Sequence, residues 1–272
     1  MLDTLQYAVI DSDKKGNDKS KNNQYYFDKL KMYFGEDYNY KGIILSMPTI
    51  GDILSIGEDR FYKSLSPFLY NSTSIRVFLW DKFNMDWNKV KDIEVFGIMN
   101  QILKDEDKEP ANIIFKNMSF NDFVIKEAKR HIEDEEYEIV LYSPSQQIIL
   151  YEEDYMHIAE YIREMLNCHP KVEKAKGKTA KSWIIQEDKM NMLNKDEDKH
   201  SNLLSLISAC VNHPGFKYKL QELREVGLYQ FMDSVKRLQI YESSRALLNG
   251  LYCGFSDLSK INKNEFNFMR DI

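Results

Sequence analysis

Apolar positions along the chain repeat with two periods, and the period changes from region to region. Lys41 to Met47 is a short apolar run that predicts a buried strand, stopped by Pro48. Thr49 then reads as a helix N-cap, with Asp52 three residues on completing a short capping box. Ile50, Ile53, Leu54, Phe61, Leu65 and Phe68 follow at helical spacing, with Gly57 and Pro67 as the points where that helix weakens or breaks. Further helices are predicted from Thr73 to Phe83, with Val77, Phe78 and Trp80 inward, and from Val90 to Leu103. A charged connection, residues 104–110, precedes a change to strand periodicity. Phe120, Phe123 and Ile125, then Glu138 to Tyr142, then Gln147 to Tyr151 read as strands, the last two joined by a Ser143-Pro144-Ser145-Gln146 turn. Tyr155, Ile158, Ile162, Met165 and Leu166 mark an amphipathic helix that Pro170 ends.

Beyond Pro170 the pattern is helical throughout. Trp183, Ile184, Met190 and Leu193 mark one helix, Leu203 to Val211 a second and Leu220 to Val226 a short one. Residues 229–248 form the longest, with Phe231, Met232, Val235, Leu238 and Tyr241 on one side. Gly250 and Gly254 flank its end, and Asn262 with Glu265 resembles a capping box opening a final short helix with Phe266 and Met269. Before residue 40, Leu5 to Ile10 could form a strand, residues 11–23 lack any large apolar side chain and read as a flexible loop, and an aromatic-rich element begins at Tyr25. The fold class expected is α+β, predominantly helical: a small sheet and hairpin region followed by a helical C-terminal domain. The organisation expected is an N-terminal extension over 1–39, an α+β domain over 40–170, a basic linker over 171–181 and a helical domain over 182–272.

Composition narrows the class. Gly and Pro are scarce, at 11 and 6, and 43% of the 272 residues are hydrophobic, which argues against collagen-like or disordered chains. Apolar stretches are too short for a membrane span, and three Cys are too few for a disulfide scaffold. The opening Met1-Leu2-Asp3-Thr4 lacks the basic and apolar regions of a secretory leader, so an intracellular chain is expected and the sequons at Asn71 and Asn117 are chance matches. A net charge of -6 with signs alternating along the chain argues against general nucleic-acid binding. Abundant Asn, Lys, Ile, Tyr and Asp with scarce Ala point to a low-GC genome.

Each candidate for chemistry is incomplete. Lys176-Gly177-Lys178-Thr179 imitates the end of a P-loop, but Val172 stands where the first Gly is needed and a helix precedes it. Asp11-Ser12-Asp13 with Gly16 imitates an EF-hand loop, but Lys15 and Asn22 occupy ligand positions. Cys168-His169 with Cys210 and His213 could supply four zinc ligands at poor spacing, and Cys210 on an apolar helix reads better as a buried thiol. His131, His157 and His200 could act as bases beside carboxylates, yet no nucleophile motif accompanies them. The run Glu133 to Glu136 reads as a solvated turn. The basic stretch Lys171 to Lys181 before Trp183 could meet an acidic partner, but a flexible linker is the simpler reading. No enzyme activity, cofactor or metal is expected. Abundant aromatics and 12 Met on helices suit an adaptable binding groove as well as a filled core. Phe231, Met232, Val235 and Leu238 are the candidate groove residues.

Several segments together carry a resemblance. Pro48-Thr49-Ile50-Gly51-Asp52-Ile53, Gly57-Glu58-Asp59 and Phe61-Tyr62 resemble the opening of tail-module proteins from tailed bacteriophages and prophages of low-GC Gram-positive bacteria. The hairpin Glu138 to Tyr142 and Ile148 to Leu150, leading into Tyr161-Ile162-Arg163, is similar to the middle of that family. The C-terminal likeness comprises Leu206 to Ala209, Gly215 to Tyr218, Gln230 to Arg237, Gly250 to Gly254 and Phe266 to Asp271. It departs at Phe268, where the family has Trp, and the first 39 residues lie outside it. The resemblance implies a non-enzymatic tail or baseplate assembly protein in the host cytoplasm, chaperone-like towards other tail or baseplate proteins, with no nucleic-acid or membrane partner. A structural subunit of the mature tail or baseplate is the alternative, and a metal- or nucleotide-dependent enzyme a distant third.

Overall fold

A computed structural model describes residues 25–131, 136–194, 201–254 and 261–270. The predicted strand at Leu5 to Ile10, the loop at 11–23 with its EF-hand imitation, His200 and Glu133 to Glu135 lie outside the described residues. The architecture is the predominantly helical α+β class expected from the sequence.

The first elements are α1 (Lys29–Tyr33) and a hairpin of β1 (Tyr38–Tyr40) and β2 (Ile43–Leu45). Its two-residue turn, Lys41-Gly42, has φ of 49° and 90°, the left-handed pair whose twist suits a tight hairpin. The capping box at Thr49 forms: Thr49 Oγ1 accepts from Asp52 N (3.1 Å), and an Asp52 carboxylate oxygen accepts from Thr49 N (2.8 Å). The helix it opens, α2 (Ile50–Ile56), stops at Gly57 (φ 94°), and α3 (Glu58–Leu69) starts there. Pro67 does not break α3. Its missing N–H leaves the Lys63 carbonyl free, and the Ser66 hydroxyl donates to that carbonyl at 2.8 Å. Next come α4 (Arg76–Phe83) and α5 (Asp92–Ile102). The charged stretch 104–110, expected as a plain connection, contains α6 (Asp105–Lys108) and the start of a 3-10 turn (Glu109–Ile113). Phe120 and Phe123 precede their strand and are core residues; the strand itself is β3 (Val124–Ala128). It pairs antiparallel with β4 (Glu138–Ser143), which pairs with β5 (Ile148–Leu150) in the order β3-β4-β5.

Helix α7 (Glu152–Leu166) is the central beam, with Tyr155, Ile158, Ala159, Tyr161, Ile162, Met165 and Leu166 all buried. Asn167 ends it in a left-handed conformation, three residues before Pro170. The buried Arg163 ties the beam to its neighbours. Its Nε donates to the Phe68 carbonyl (2.9 Å), its Nη2 to the Tyr70 carbonyl (3.2 Å) and to Asp92 (3.0 Å), and its Nη1 to Glu160 (2.7 Å). One guanidinium thereby fixes the end of α3, the start of α5 and α7 together. Burial still raises the Asp92 carboxyl above its ordinary value, with Arg163 opposing the rise.

The remaining elements are α8 (Lys178–Leu193), α9 (Asn202–Val211), a 3-10 turn (Glu222–Glu225) and α10 (Leu228–Tyr252). They do not build a core of their own. Leu203, Cys210, Leu223, Val226, Leu228, Phe231 and Val235 share one buried cluster with Ile50, Phe61 and Tyr161. Backbone hydrogen bonds join the parts: Ile50 N donates to Val226 O (3.0 Å), and Leu228 N donates to Pro48 O (2.8 Å). Gly51 permits the approach, since a Cβ there would lie 2.7 Å from the Arg224 carbonyl oxygen. A second cluster joins Leu79, Trp87, Val95 and Met99 to Ala175 and Ile185. The distal half of α10 packs against residues 261–270, where the Ser244 hydroxyl donates to Glu265 O (2.6 Å) and Tyr241 meets Phe268 edge-on. The last short helix is a 3-10 turn (Lys263–Phe266), and its N-cap Asn262 accepts from Asn264 N.

Residues 171–176 are not the free linker expected. The carbonyls of Lys171, Glu173 and Ala175 are bound by Asn71, Thr73, Trp87 and Asn88, Ala175 is buried, and α8 already starts at Lys178. Arg76 closes this joint, with Nε and Nη2 donating to Asp188 and Nη1 to Glu173. No helix among the described residues is long and apolar enough to cross a membrane.

Two substitutions test this architecture by urea denaturation. Arg163→Met should cost about 3–5 kcal/mol, because it leaves Asp92 and two buried carbonyls without their donor. Gly51→Ala should cost about 1–3 kcal/mol by forcing α2 from the Arg224 backbone. Parent-like midpoints in both would contradict the assigned joints.

Candidate protein-interaction groove

A cleft of about 840 Å³ opens between α1, the end of α7 and the first half of α10. Each wall follows from local sequence. Asp28 caps α1, its carboxylate accepting from Leu30 N and Lys31 N. Met32 anchors α1 in the core, which turns Leu30 (67% exposed) and Phe34 (73% exposed) outward. On α10 the stripe Leu228, Phe231 and Val235 faces the core, so the flanking positions Tyr229, Met232, Asp233, Lys236 and Arg237 line the cleft.

The cleft carries both signs of charge. Lys29 Nζ lies 2.8 Å from Glu164, and His169 Nε2 lies 3.4 Å from the other Glu164 oxygen. His169, and after it Lys29, hold the Glu164 carboxyl down at about 2. Lys236 donates to the Asn167 side-chain oxygen, and burial lowers its pKa below the ordinary lysine value. Arg237 reaches the Arg270 carbonyl at 2.7 Å, tying the cleft to the C-terminal segment. Such a surface suits an amphipathic polypeptide segment that places an apolar side chain against Leu30 and Met232 and charges at the rim.

Of the four groove residues expected, Met232 alone lines this cleft. Phe231 is fully buried, perpendicular to Phe216, and Val235 is buried beside it. Leu238 is half-buried against the same core. The helical stripe was legible, but its apolar side is the one that a core claims. No sequence signal could pair α10 with Lys29 or Glu164, which lie far away along the chain; the offset positions 229, 232, 233 and 236 were the one available hint.

The other candidates are placed as follows. His157 is enclosed by aromatic rings, stacked on Tyr40 (centroids 4.0 Å) with its Nε2 2.6 Å from the Tyr38 hydroxyl, and burial lowers its pKa. Asp154, one turn earlier, accepts from the Tyr40 hydroxyl (2.9 Å) and from Lys41. Both side chains fasten the β1–β2 hairpin to α7. His131 is exposed. His213 lies 3.3 Å from Glu242, Cys210 is buried and burial raises the Cys168 thiol. Among the described residues no group of three or more His, Cys, Asp or Glu is placed to hold a metal. Gly177 of the P-loop imitation is the N-cap of α8, with φ 80°.

Residues 194–272 match the family model described as YomV second domain. That family is Bacillus phage-derived. The matched YomV-like part contains α9 and α10, so it supplies the α10 wall of the groove and none of the α1 or α7 wall. No curated protein and no solved structure matches the chain.

The Glu164 cluster has a testable acid signature. Because the folded carboxyl titrates below its ordinary value of 4.5, its stabilisation is fully present above about pH 4.5 and is lost as pH falls towards 2. Glu164→Gln should therefore lose less stability than the parent between those two pH values, read as urea midpoints. Identical acid dependence in both proteins would contradict the pairing.

Proposed function

We propose that the chain is a non-enzymatic bacteriophage tail or baseplate assembly protein that binds other tail proteins in a chaperone-like way. One observation carries the reading: the part of the chain similar to a phage-derived family forms a wall of a mixed apolar and charged groove. The resemblance of residues 40–272 to tail-module proteins supports it. In this reading the groove receives an amphipathic segment of an unassembled tail protein and releases it when assembly buries that segment. The protein acts in the host cytoplasm.

The test is affinity purification of the tagged chain from cells in which its phage is replicating. A tail or baseplate protein should be enriched, and Leu30→Glu should reduce that enrichment about tenfold. Enrichment of no tail or baseplate protein overturns the reading.

A second reading, a permanent subunit of the tail or baseplate, draws on the exposed Tyr252, Phe268 and Met269 at the far end of α10 and its C-terminal segment. Mass spectrometry of purified virions separates the two: stoichiometric presence supports the subunit, absence the chaperone.

A further inference from the structure

Residues 171–176 lie against the turn that precedes α4 and against the Trp87 turn, and the main-chain hydrogen bonds they make fall at alternate residues. The Lys171 carbonyl accepts from Asn71 Nδ2 (3.1 Å), that of Glu173 from Trp87 Nε1 (3.0 Å) and Thr73 Oγ1 (3.3 Å), and that of Ala175 from Asn88 Nδ2 (2.7 Å). Glu173 N also points inward and donates to Thr73 Oγ1 (3.1 Å). Carbonyls bound at every second residue are the mark of a strand whose alternate main-chain groups face opposite edges. From Val172 onward burial also alternates, with Ala175 buried and Glu173 half-buried, while Val172 (71% exposed), Lys174 and Lys176 face out; Lys171 is exposed. Among the described residues nothing hydrogen-bonds the N–H or C=O groups of Val172, Lys174 or Lys176.

The charge around this open edge has one sign. The nearby carboxylates Glu173, Asp188 and Asp86 are matched one for one by Arg76, Lys171 and Lys181. Lys174, Lys176 and Lys178 have no ion-pair partner among the described residues. Lysines on an open edge repel a second copy of the same edge, which protects against self-pairing. The same lysines attract an acidic strand. A nucleic-acid backbone would meet the lysines but offers no N–H donors for the free carbonyls, so the alternating edge favours a polypeptide.

We infer that residues 172–176 form an edge-strand docking site for an extended acidic peptide segment of a partner protein, which adds to this edge through main-chain hydrogen bonds. The site is separate from the α1–α7–α10 groove and does not rest on the tail-assembly reading.

The test uses the full chain and a fluorescent, N-acetylated peptide of alternating Glu and Val, titrated by anisotropy. Saturable binding is expected, with a loss of about tenfold in Lys174→Glu/Lys176→Glu. Both lysines are exposed and unpaired, so this variant keeps the fold. Two peptides N-methylated at alternate residues resolve the mode. Methylation in the register facing the edge should weaken binding about tenfold, and the other register should leave it unchanged. Amide exchange at Val172, Lys174 and Lys176 should slow when the parent peptide binds. Absence of saturation at millimolar peptide, equal binding of both methylated peptides, or equal binding of an oligothymidylate of the same charge would each overturn the inference.

Discussion

The guanidinium of Arg163 is the constraint from which the rest of the layout follows. It is buried, and its hydrogen bonds reach two backbone carbonyls and two carboxylates. A buried cation is tolerable only when so paired, here through four of its five N–H groups. That pairing in turn fixes where α3 ends and where α5 begins relative to α7. The Tyr155 hydroxyl repeats the device two turns earlier by donating to the Pro67 carbonyl (3.0 Å). With α7 immobilised, its N-terminal half receives the β1–β2 hairpin through Asp154 and His157, and its C-terminal end contributes Glu164 and Asn167 to the groove.

The C-terminal part is held to this frame by main chain as much as by side chains. The Pro48 to Ile53 turn meets Val226 to Leu228, and Gly51 lies against Arg224. The Pro48-Thr49-Ile50-Gly51-Asp52-Ile53 segment and the residues that lead into α10 are thus neighbours in space. Because α10 starts at this joint, its core stripe and its groove stripe have fixed directions.

Where local chemistry decides, the sequence was readable. Thr49 and Asp52 form their capping box, the apolar spacing of 155–166 becomes α7, and Ser143 to Gln146 fall at the turn of the β4–β5 hairpin. Where partners come from far along the chain, it was not. Residues 171–176 resemble a linker because their composition is basic and short of apolar side chains, while the groups that pin them sit on Asn71, Thr73, Trp87 and Asn88. Tyr38 to Tyr40 is too short to show a strand period, and its pairing depends on a left-handed Lys41-Gly42 turn. Of the residues expected to line a groove, Met232 lines the cleft between α1, α7 and α10, while Phe231 and Val235 are core, since no pattern within α10 shows which side other elements cover.

The central claim is that α7 and the segments fastened to it, including the first half of α10, open as one unit. Native-state hydrogen exchange at increasing denaturant measures this directly. Amides of α3, α5, α7 and residues 228–238 should converge on one opening free energy with one denaturant slope. A separate, lower-energy opening of residues 201–238, with α7 still protected, would contradict the account.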